Sequence, residues 1–436
     1  MLKVWAVLLF CGLLAPSQGL DVGATVINSV TANGLEKTIG DLLSGGDILQ
    51  SVLGAVSGGN GGLLNLGNLL GPGLLGLEIK NLTLPKVSLK LLPGVGVQLN
   101  VNTKVSVDGK GLLGRVLRLQ AEENIAARAR LLQDNVGVPK LTVEDCKIQL
   151  LNIRIPLKWL CPLIDTVLNT VNTQLGTVNS VVPLGVLGNL QYTLSSLPVV
   201  SDGSIKLDLN AVVKDPLGNI ISDPTCSAAP ISLPLVGSSS QLALPACLLT
   251  SVLKLLLVPE KLNTDITGQM LPANILQVTS ALRSIIPQVS DLLPASQQPL
   301  LKIKVLDTPV VSLQNGAVTA RLPASIDVSL SDSPQKSLFV LDADTVLNAQ
   351  PTIADNKLRL SSTLESVNLS LASSQIGPVN VTGLEPLMSN LLGAAYVPPI
   401  NAALDVGIPL PNPLNLNLEN SLVKTIDNTL VINALG

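Results

Sequence analysis

Apolar and polar positions alternate along much of the chain. Leu77, Ile79, Leu82, Leu84, Val87, Leu89 and Leu91 interleave with Glu78, Lys80, Thr83, Ser88 and Lys90, the period-two signature of half-buried strands. Further strands are expected at Val101–Val107 and Val116–Leu119. Residues 125–131 hold a conflict, because Ala126-Ala127-Arg128-Ala129-Arg130 favours helix while Ile125, Ala127, Ala129 and Leu131 alternate. The alternation decides for a strand, and the meander continues through Leu141, Val143 and Ile148. After Cys161-Pro162 the period changes. Leu163, Ile164, Val167, Leu168, Val171, Leu175 and Val178 form one stripe opposite Asp165, Thr166, Asn169 and Asn172, which predicts an amphipathic helix. Strands return at 190–194 and 205–213.

Residues 214–245 carry Pro216, Pro224, Pro230, Pro234, Pro245 and the turn cluster Gly237-Ser238-Ser239-Ser240, a boundary signal. Beyond it the order starts again. Helices are expected at Cys247–Leu257 and Ile275–Ile286, then alternating strands from Leu301 to Leu371. A second long helix covers Leu384–Leu404, which Pro398-Pro399 must kink or interrupt, and strands close the chain at Leu430-Val431-Ile432. The shared order predicts an α+β fold of two tandem modules, each an antiparallel sheet wrapped on two long helices. The expected division is an N-terminal leader at 1–19, a first module at 20–215, a linker and central sheet at 216–245, and a second module at 246–436.

Composition sharpens this. The chain is 47% hydrophobic but 1% aromatic, so its interior is aliphatic rather than ring-packed. It contains no histidine, which removes imidazole bases, His-dependent nucleophiles and His-ligated metals. The net charge of −3 argues against a nucleic-acid binder. Residues 20–215 hold 16 Lys/Arg against 15 Asp/Glu (+1), and residues 216–436 hold 10 against 15 (−5). Asp342 with Asp344, and adjacent Glu122-Glu123, are the nearest approach to paired carboxylates. They read as solvated faces, so no enzyme, no metal and no cofactor is expected.

Lys3, the apolar run Val4–Ala15 and Ser17-Gln18-Gly19 form a cleavable secretory signal, too short to be a membrane anchor. No transmembrane segment is expected elsewhere. Secretion makes the cysteines candidates for disulfides. With Cys11 in the leader, Cys146, Cys161, Cys226 and Cys247 remain. Three pairings are open, and the sequence-local one, Cys146 with Cys161 and Cys226 with Cys247, is preferred. The sequons at Asn81, Asn368 and Asn380 are candidate N-glycosylation sites. Two GxGxxG matches, Gly71–Gly76 and Gly109–Gly114, lie among alternating strands and read as turn glycines, not as a nucleotide loop. The Leu/Gly block at 40–76 reads as a surface loop or an amphipathic flap.

Leu160-Cys161-Pro162-Leu163-Ile164-Asp165, Val171-Asn172-Thr173-Gln174-Leu175-Gly176, Val182-Pro183-Leu184-Gly185 and Leu190-Gln191-Tyr192-Thr193-Leu194 closely resemble the long palate-lung-nasal-clone branch of the bactericidal/permeability-increasing and lipopolysaccharide-binding protein family. Within it they are most similar to BPI fold-containing family B. Lys304–Pro309 and Ile408–Pro411 extend the resemblance nearly end to end. It implies two barrel-like modules joined by a central sheet in an elongated boomerang. Each module would hold an apolar pocket for lipid, and a strand-to-helix disulfide falls on Cys146 and Cys161. Two departures stand out. Fourteen residues separate those cysteines, fewer than in the family, and the first module lacks a strongly cationic tip.

The expected function is therefore a secreted, extracellular carrier of phospholipid, fatty acid or another small hydrophobic ligand in mucosal fluid, odorants included. The alternative is an innate-immune protein that binds lipopolysaccharide or bacterial surfaces, or a surface-active structural protein.

Overall fold

The computed structural model describes residues 23–44, 77–82, 86–110, 116–134, 138–150, 161–226, 240–267, 278–294, 297–314, 316–412, 416, 418–419 and 421–434. The leader, most of the Leu/Gly block with its GxGxxG match, and much of the Pro-rich boundary lie outside these residues.

The first module opens with strand β1 (Ala24–Thr31) and helix α1 (Ala32–Ser44). A five-stranded antiparallel sheet follows, built from β2 (Leu77–Leu82), β3 (Lys86–Leu92), β4 (Gly96–Lys110), β5 (Val116–Gln133) and β6 (Pro139–Leu150). Residues 125–131 lie inside β5. There tertiary pairing on both sides overrides the local helix propensity: Ala127 is opposite Leu99 of β4 and Cys146 of β6. The second GxGxxG match begins where β4 ends, at Gly109-Lys110. Helix α2 (Cys161–Gly176) carries the expected stripe inward, with Ile164, Val167, Leu168, Val171 and Leu175 buried.

The strands β7 (Ser180–Pro183), β8 (Asn189–Leu194), β9 (Val199–Val200), β10 (Ser204–Lys214) and β11 (Ile220–Ile221) come next. The second module repeats the opening with β12 (Gln241–Pro245) and α3 (Ala246–Leu256), followed by the short α4 (Pro259–Leu262) and β13 (Thr264–Ile266). After α5 (Val278–Ile285) its sheet forms from β14 (Pro299–Val305), β15 (Val310–Gln314), β16 (Ala317–Leu330), β17 (Ser333–Ala354) and β18 (Lys357–Ser374). The β17–β18 hairpin turns on Asp355 and Asn356, both at positive φ (53° and 57°), where a short polar side chain tolerates the left-handed region. The expected long helix is two helices, α6 (Val381–Ala395) and α7 (Val397–Leu404). They break at Tyr396, because Pro398 and Pro399 fit only a first helical turn. Strands β19 (Ile408–Pro409), β20 (Leu422–Ile426) and β21 (Thr429–Asn433) finish the chain.

Strand pairing shows how the halves join. The central sheet runs β20-β21-β12-β1-β10-β8-β7, with β9 and β11 also on β10. At its middle β1 lies antiparallel to β12, with Ile27 opposite Ala243. Each of these strands leads directly into its module's first helix, and each is flanked by a strand that follows the module's last helix. The sheet is thus drawn from four stretches of chain, of which β11 and β12 alone come from residues 216–245. Five strands correspond one to one across the modules: β2 to β6 match β14 to β18 in order and pairing. This relation is the pairing expected of a duplicated unit.

Candidate functional site

In each module, the inner face of the sheet and the facing helices form an aliphatic interior. In the first, Leu89, Leu91, Val97, Leu99, Val101, Ile125, Ala127, Ala129 and Leu141 point inward toward Leu35 and Ile39 of α1 and the stripe of α2. Their strand neighbours Lys90, Arg128 and Arg130 are exposed, so the pleat separates the two environments. In the second, Leu322, Ala324, Ile326, Leu341, Ala343, Leu347, Leu358 and Leu360 face Leu384, Met388, Leu391 and Leu392 of α6 and Ile400 and Leu404 of α7. Among the described residues the aromatic side chains are Tyr192, Phe339 and Tyr396, all buried. None of them belongs to the first module's sheet or helices.

Sheets that curl without closing leave edges whose N–H and C=O groups need partners. Here the helices supply them through side chains. On α2, Asn172 lays its amide against edge strand β6: Oδ1 accepts the Leu141 N–H at 2.7 Å and Nδ2 donates to the Leu141 carbonyl at 2.9 Å. On α7, Asn401 does the same to β18, with the Ser362 N–H at 2.7 Å and the Ser362 carbonyl at 2.9 Å. Ser362 Oγ adds a third bond by donating to Asn401 Oδ1 at 2.7 Å. One primary amide thus replaces one residue of a strand partner. The opposite edge is treated likewise. Glu36 Oε2 accepts the Leu89 N–H of β3 at 3.1 Å, and Thr250 Oγ1 accepts the Val311 N–H of β15 at 3.0 Å. Glu36 and Thr250 are each the fifth residue of their helices.

The sequence pattern placed Asn172 on the polar face opposite the apolar stripe. The structure corrects this: Asn172 is half-buried and turned to the strand edge. The available signal was an Asn inside a helix, where it is disfavoured unless its side chain finds a specific partner.

The two halves are tied at their joint. Tyr192 of β8 donates its hydroxyl to the Pro409 carbonyl at 2.8 Å, and Asn28 Nδ2 reaches the Pro411 carbonyl at 3.5 Å. Burial pushes the Tyr192 hydroxyl far above its ordinary pKa, so it remains a donor throughout the physiological range. A covalent tie joins Cys226 to Cys247 on α3, with Cα atoms 5.3 Å apart. Beside it the Asp223 carboxylate accepts from the Thr225 N–H at 2.8 Å and pairs with Lys254 at 3.3 Å. Burial raises the pKa of Asp223, but the Thr225 N–H and O–H and the Lys254 charge outweigh it and hold the carboxyl below its usual range. Cys146 of β6 is also disulfide-bonded. The side chain of Cys161 lies outside the described ones.

Asp342 is exposed and Asp344 is paired with Arg321 at 2.6 Å. The Glu122 and Glu123 side chains lie outside the described ones. Among the described residues no group of three or more Cys, Asp or Glu side chains is placed to hold a metal ion, and no helix is long and apolar enough to cross a membrane. Of the sequon asparagines, Asn368 and Asn380 are exposed, and Asn380 Oδ1 also caps α6 by accepting the Gly383 N–H at 3.2 Å. The Asn81 side chain lies outside the described ones.

Comparison with known proteins fits this architecture. Residues 34–183 match the N-terminal domain of the LBP / BPI / CETP family and residues 242–435 match its C-terminal domain. BPI fold-containing family B member 3 of Mus musculus is 39% identical, with 99% of each chain covered. Member 4 of Homo sapiens is 36% identical over 83% of this chain and 64% of its own length. The crystal structure of lipopolysaccharide binding protein superposes with a TM-score of 0.57 at 20% identity, covering 94% of this chain and 98% of that one. Its likeness is one of fold. Two matched domains in tandem order and a full-length relative at this identity make the chain a member of the LBP / BPI / CETP family.

Proposed function

We propose that the protein is a secreted carrier that holds phospholipid, fatty acid or another small hydrophobic ligand in the aliphatic interiors of its two modules. The observation that carries this reading is the composition of those interiors. Their inward positions are Leu, Val, Ile and Ala almost throughout, joined in the second module by Met388 and Phe339, with polar groups confined mostly to the helix–strand contacts. Each CH₂ moved from water into such a surface contributes about 0.8 kcal/mol, so an acyl chain is held without any catalytic or ionic group, and selectivity is broad. Membership of a family whose model bears the names LBP, BPI and CETP supports the reading.

Secretion through the 1–19 signal, a Cys146–Cys161 bridge, and glycans on Asn81, Asn368 and Asn380 belong to the same proposal, as does carriage through mucosal fluid. Native mass spectrometry with organic extraction of the secreted protein tests it. Co-purifying lipid is the expected result, whereas protein that is reproducibly empty and takes up no fluorescent fatty acid overturns it.

A second reading, recognition of lipopolysaccharide or bacterial surfaces, draws support from the 24% identity to a bactericidal permeability-increasing protein of Sebastes schlegelii over 82% of this chain. The charge balance weighs against it, since +1 over residues 20–215 offers little to a phosphorylated headgroup. Binding to purified lipopolysaccharide at physiological salt, lost on deletion of residues 57–76, would favour this second reading.

A further inference from the structure

We propose that ligand enters and leaves each module sideways, through the line where its last helix meets the edge strand, and that Asn172 and Asn401 are the latches of these two portals. The inference rests on the carrier reading above and adds the route and the residues that control it.

The two sheets offer few places to part. Along β17 and β18 the ladder runs from Phe339–Ser374 to Ala354–Lys357, and β4 and β5 pair from Gly96–Arg130 to Lys110–Val116. Opening either means breaking many backbone hydrogen bonds at once. The outer edges differ. β6 is the last strand of its sheet, and among the described residues β18 meets a further strand, β19, only at Lys357 and Leu358. Beyond those contacts, the described polar links along the first line are the Asn172 pair, at the end of α2 away from the proposed Cys146–Cys161 bridge. Along the second they are the Asn401–Ser362 set and, past the end of α7, the Lys357 bond to the Val406 carbonyl and the Arg359–Asp405 ion pair, whose exposure to solvent makes it weak. Next to them, Val171 and Leu175 on α2, and Ile400 and Leu404 on α7, are buried apolar contacts. A hydrocarbon chain sliding past could replace these without loss, because apolar contact is non-directional. The amide bonds cannot be replaced by hydrocarbon, so they set the barrier.

The same device recurs at corresponding places in two modules with different strand residues, Leu141 and Ser362. This separates it from an incidental contact of one helix. The second latch has one bond more, from Ser362 Oγ, so the second module should release its ligand more slowly.

The test is stopped-flow transfer of an anthroyloxy-labelled fatty acid from the full-length protein to phosphatidylcholine vesicles. Asn172→Ala should speed one release phase about tenfold, the scale of two ordinary hydrogen bonds, and Asn401→Ala the other about thirtyfold, the scale of three. Ser362→Ala should speed the second module's phase roughly threefold, the scale of one. Asn433→Ala serves as the control. It removes the 2.9 Å bond from Gln241 in the central sheet, away from both portals, and should leave release unchanged. If an alanine variant fails to fold, Asn→Asp at the same position keeps the acceptor and loses the donor, and should also speed release. Wild-type uptake with unaltered release in every latch variant overturns the portals alone. Equal acceleration by Asn433→Ala also overturns them, because it would report general loosening. A wild-type protein that takes up no probe sinks the carrier reading and the portals together.

Discussion

The two modules solve one packing problem with different materials. The second has the longer ladder, 22 residues in β17 and 18 in β18, against 18 in β5 and 12 in β6. Its helical wall is broken by two prolines and capped by Asn380, whereas among the described residues the corresponding helix of the first module, α2, is unbroken. The first module instead has a disulfide-bonded cysteine on its edge strand β6, while Cys226–Cys247 sits at the joint. Yet both close their edges with side chains at corresponding helix positions, a carboxylate at one edge of the first and a hydroxyl at the matching edge of the second. What the duplication preserves is the geometry of closure, and the residue that provides it is free to change.

Matched truncations put the largest strain on this comparison. Leu168→Ala on α2 and Leu391→Ala on α6 remove fully buried side chains, and each should cost about 2–5 kcal/mol in denaturant unfolding. A cost below about 1 kcal/mol in one module alone would mean that its interior is loosely packed and the likeness superficial. Next comes the joint. Replacing Cys226 and Cys247 by serine opens a loop of sequence separation 21 and should lower stability by about 3 kcal/mol, read as a drop in Tm. An unchanged Tm would show that the joint is held by the central sheet alone.

Acid should then act at the joint and spare the latches, because the amides of Asn172 and Asn401 do not titrate. Asp223 has a folded-state pKa below its unfolded value, so its contribution is present above about pH 4 and lost as pH falls through the lower folded value. Asp223→Asn should therefore flatten the acid limb of the stability curve below about pH 4. A limb as steep as that of the wild type would assign acid sensitivity elsewhere. The smallest effect belongs to the cap: Asn380→Ala should cost about 1 kcal/mol or less, measured by thermal unfolding of the unglycosylated protein. A glycan on Nδ2 leaves Oδ1 free to accept, so cap and glycan are compatible.

Periodic segments were legible from the residues. The meanders, the α2 stripe and the break at Pro398-Pro399 follow from alternation, amphipathicity and proline chemistry, all of which act over a few residues. Strand β1 was not legible, because Val26, Ile27, Asn28, Ser29, Val30 and Thr31 are all buried. A strand covered on both faces shows no alternation. Nor could the central sheet be assembled from the Pro-rich stretch, since its partners lie far away along the chain. The latches were only half legible: an Asn inside a helix hints at a side-chain partner, but nothing local names Ser362, 39 positions before Asn401. Composition did announce the aliphatic interior, because scarcity of aromatic residues is a property of the whole chain.

The central sheet also bears on how the molecule is made. β12 takes β1 on one side and β21 on the other, with Ala243 opposite both Ile27 and Val431. During synthesis β1 emerges first and has to wait for β10 and then β12 before it is paired on both edges. β12 stays open on its outer edge until residues 429–433 arrive. Pairings this distant in sequence form slowly, because loop closure precedes any gain from contact. An unfinished chain therefore presents a bare strand edge and two half-covered aliphatic surfaces, a state at risk of aggregation until β20 and β21 dock.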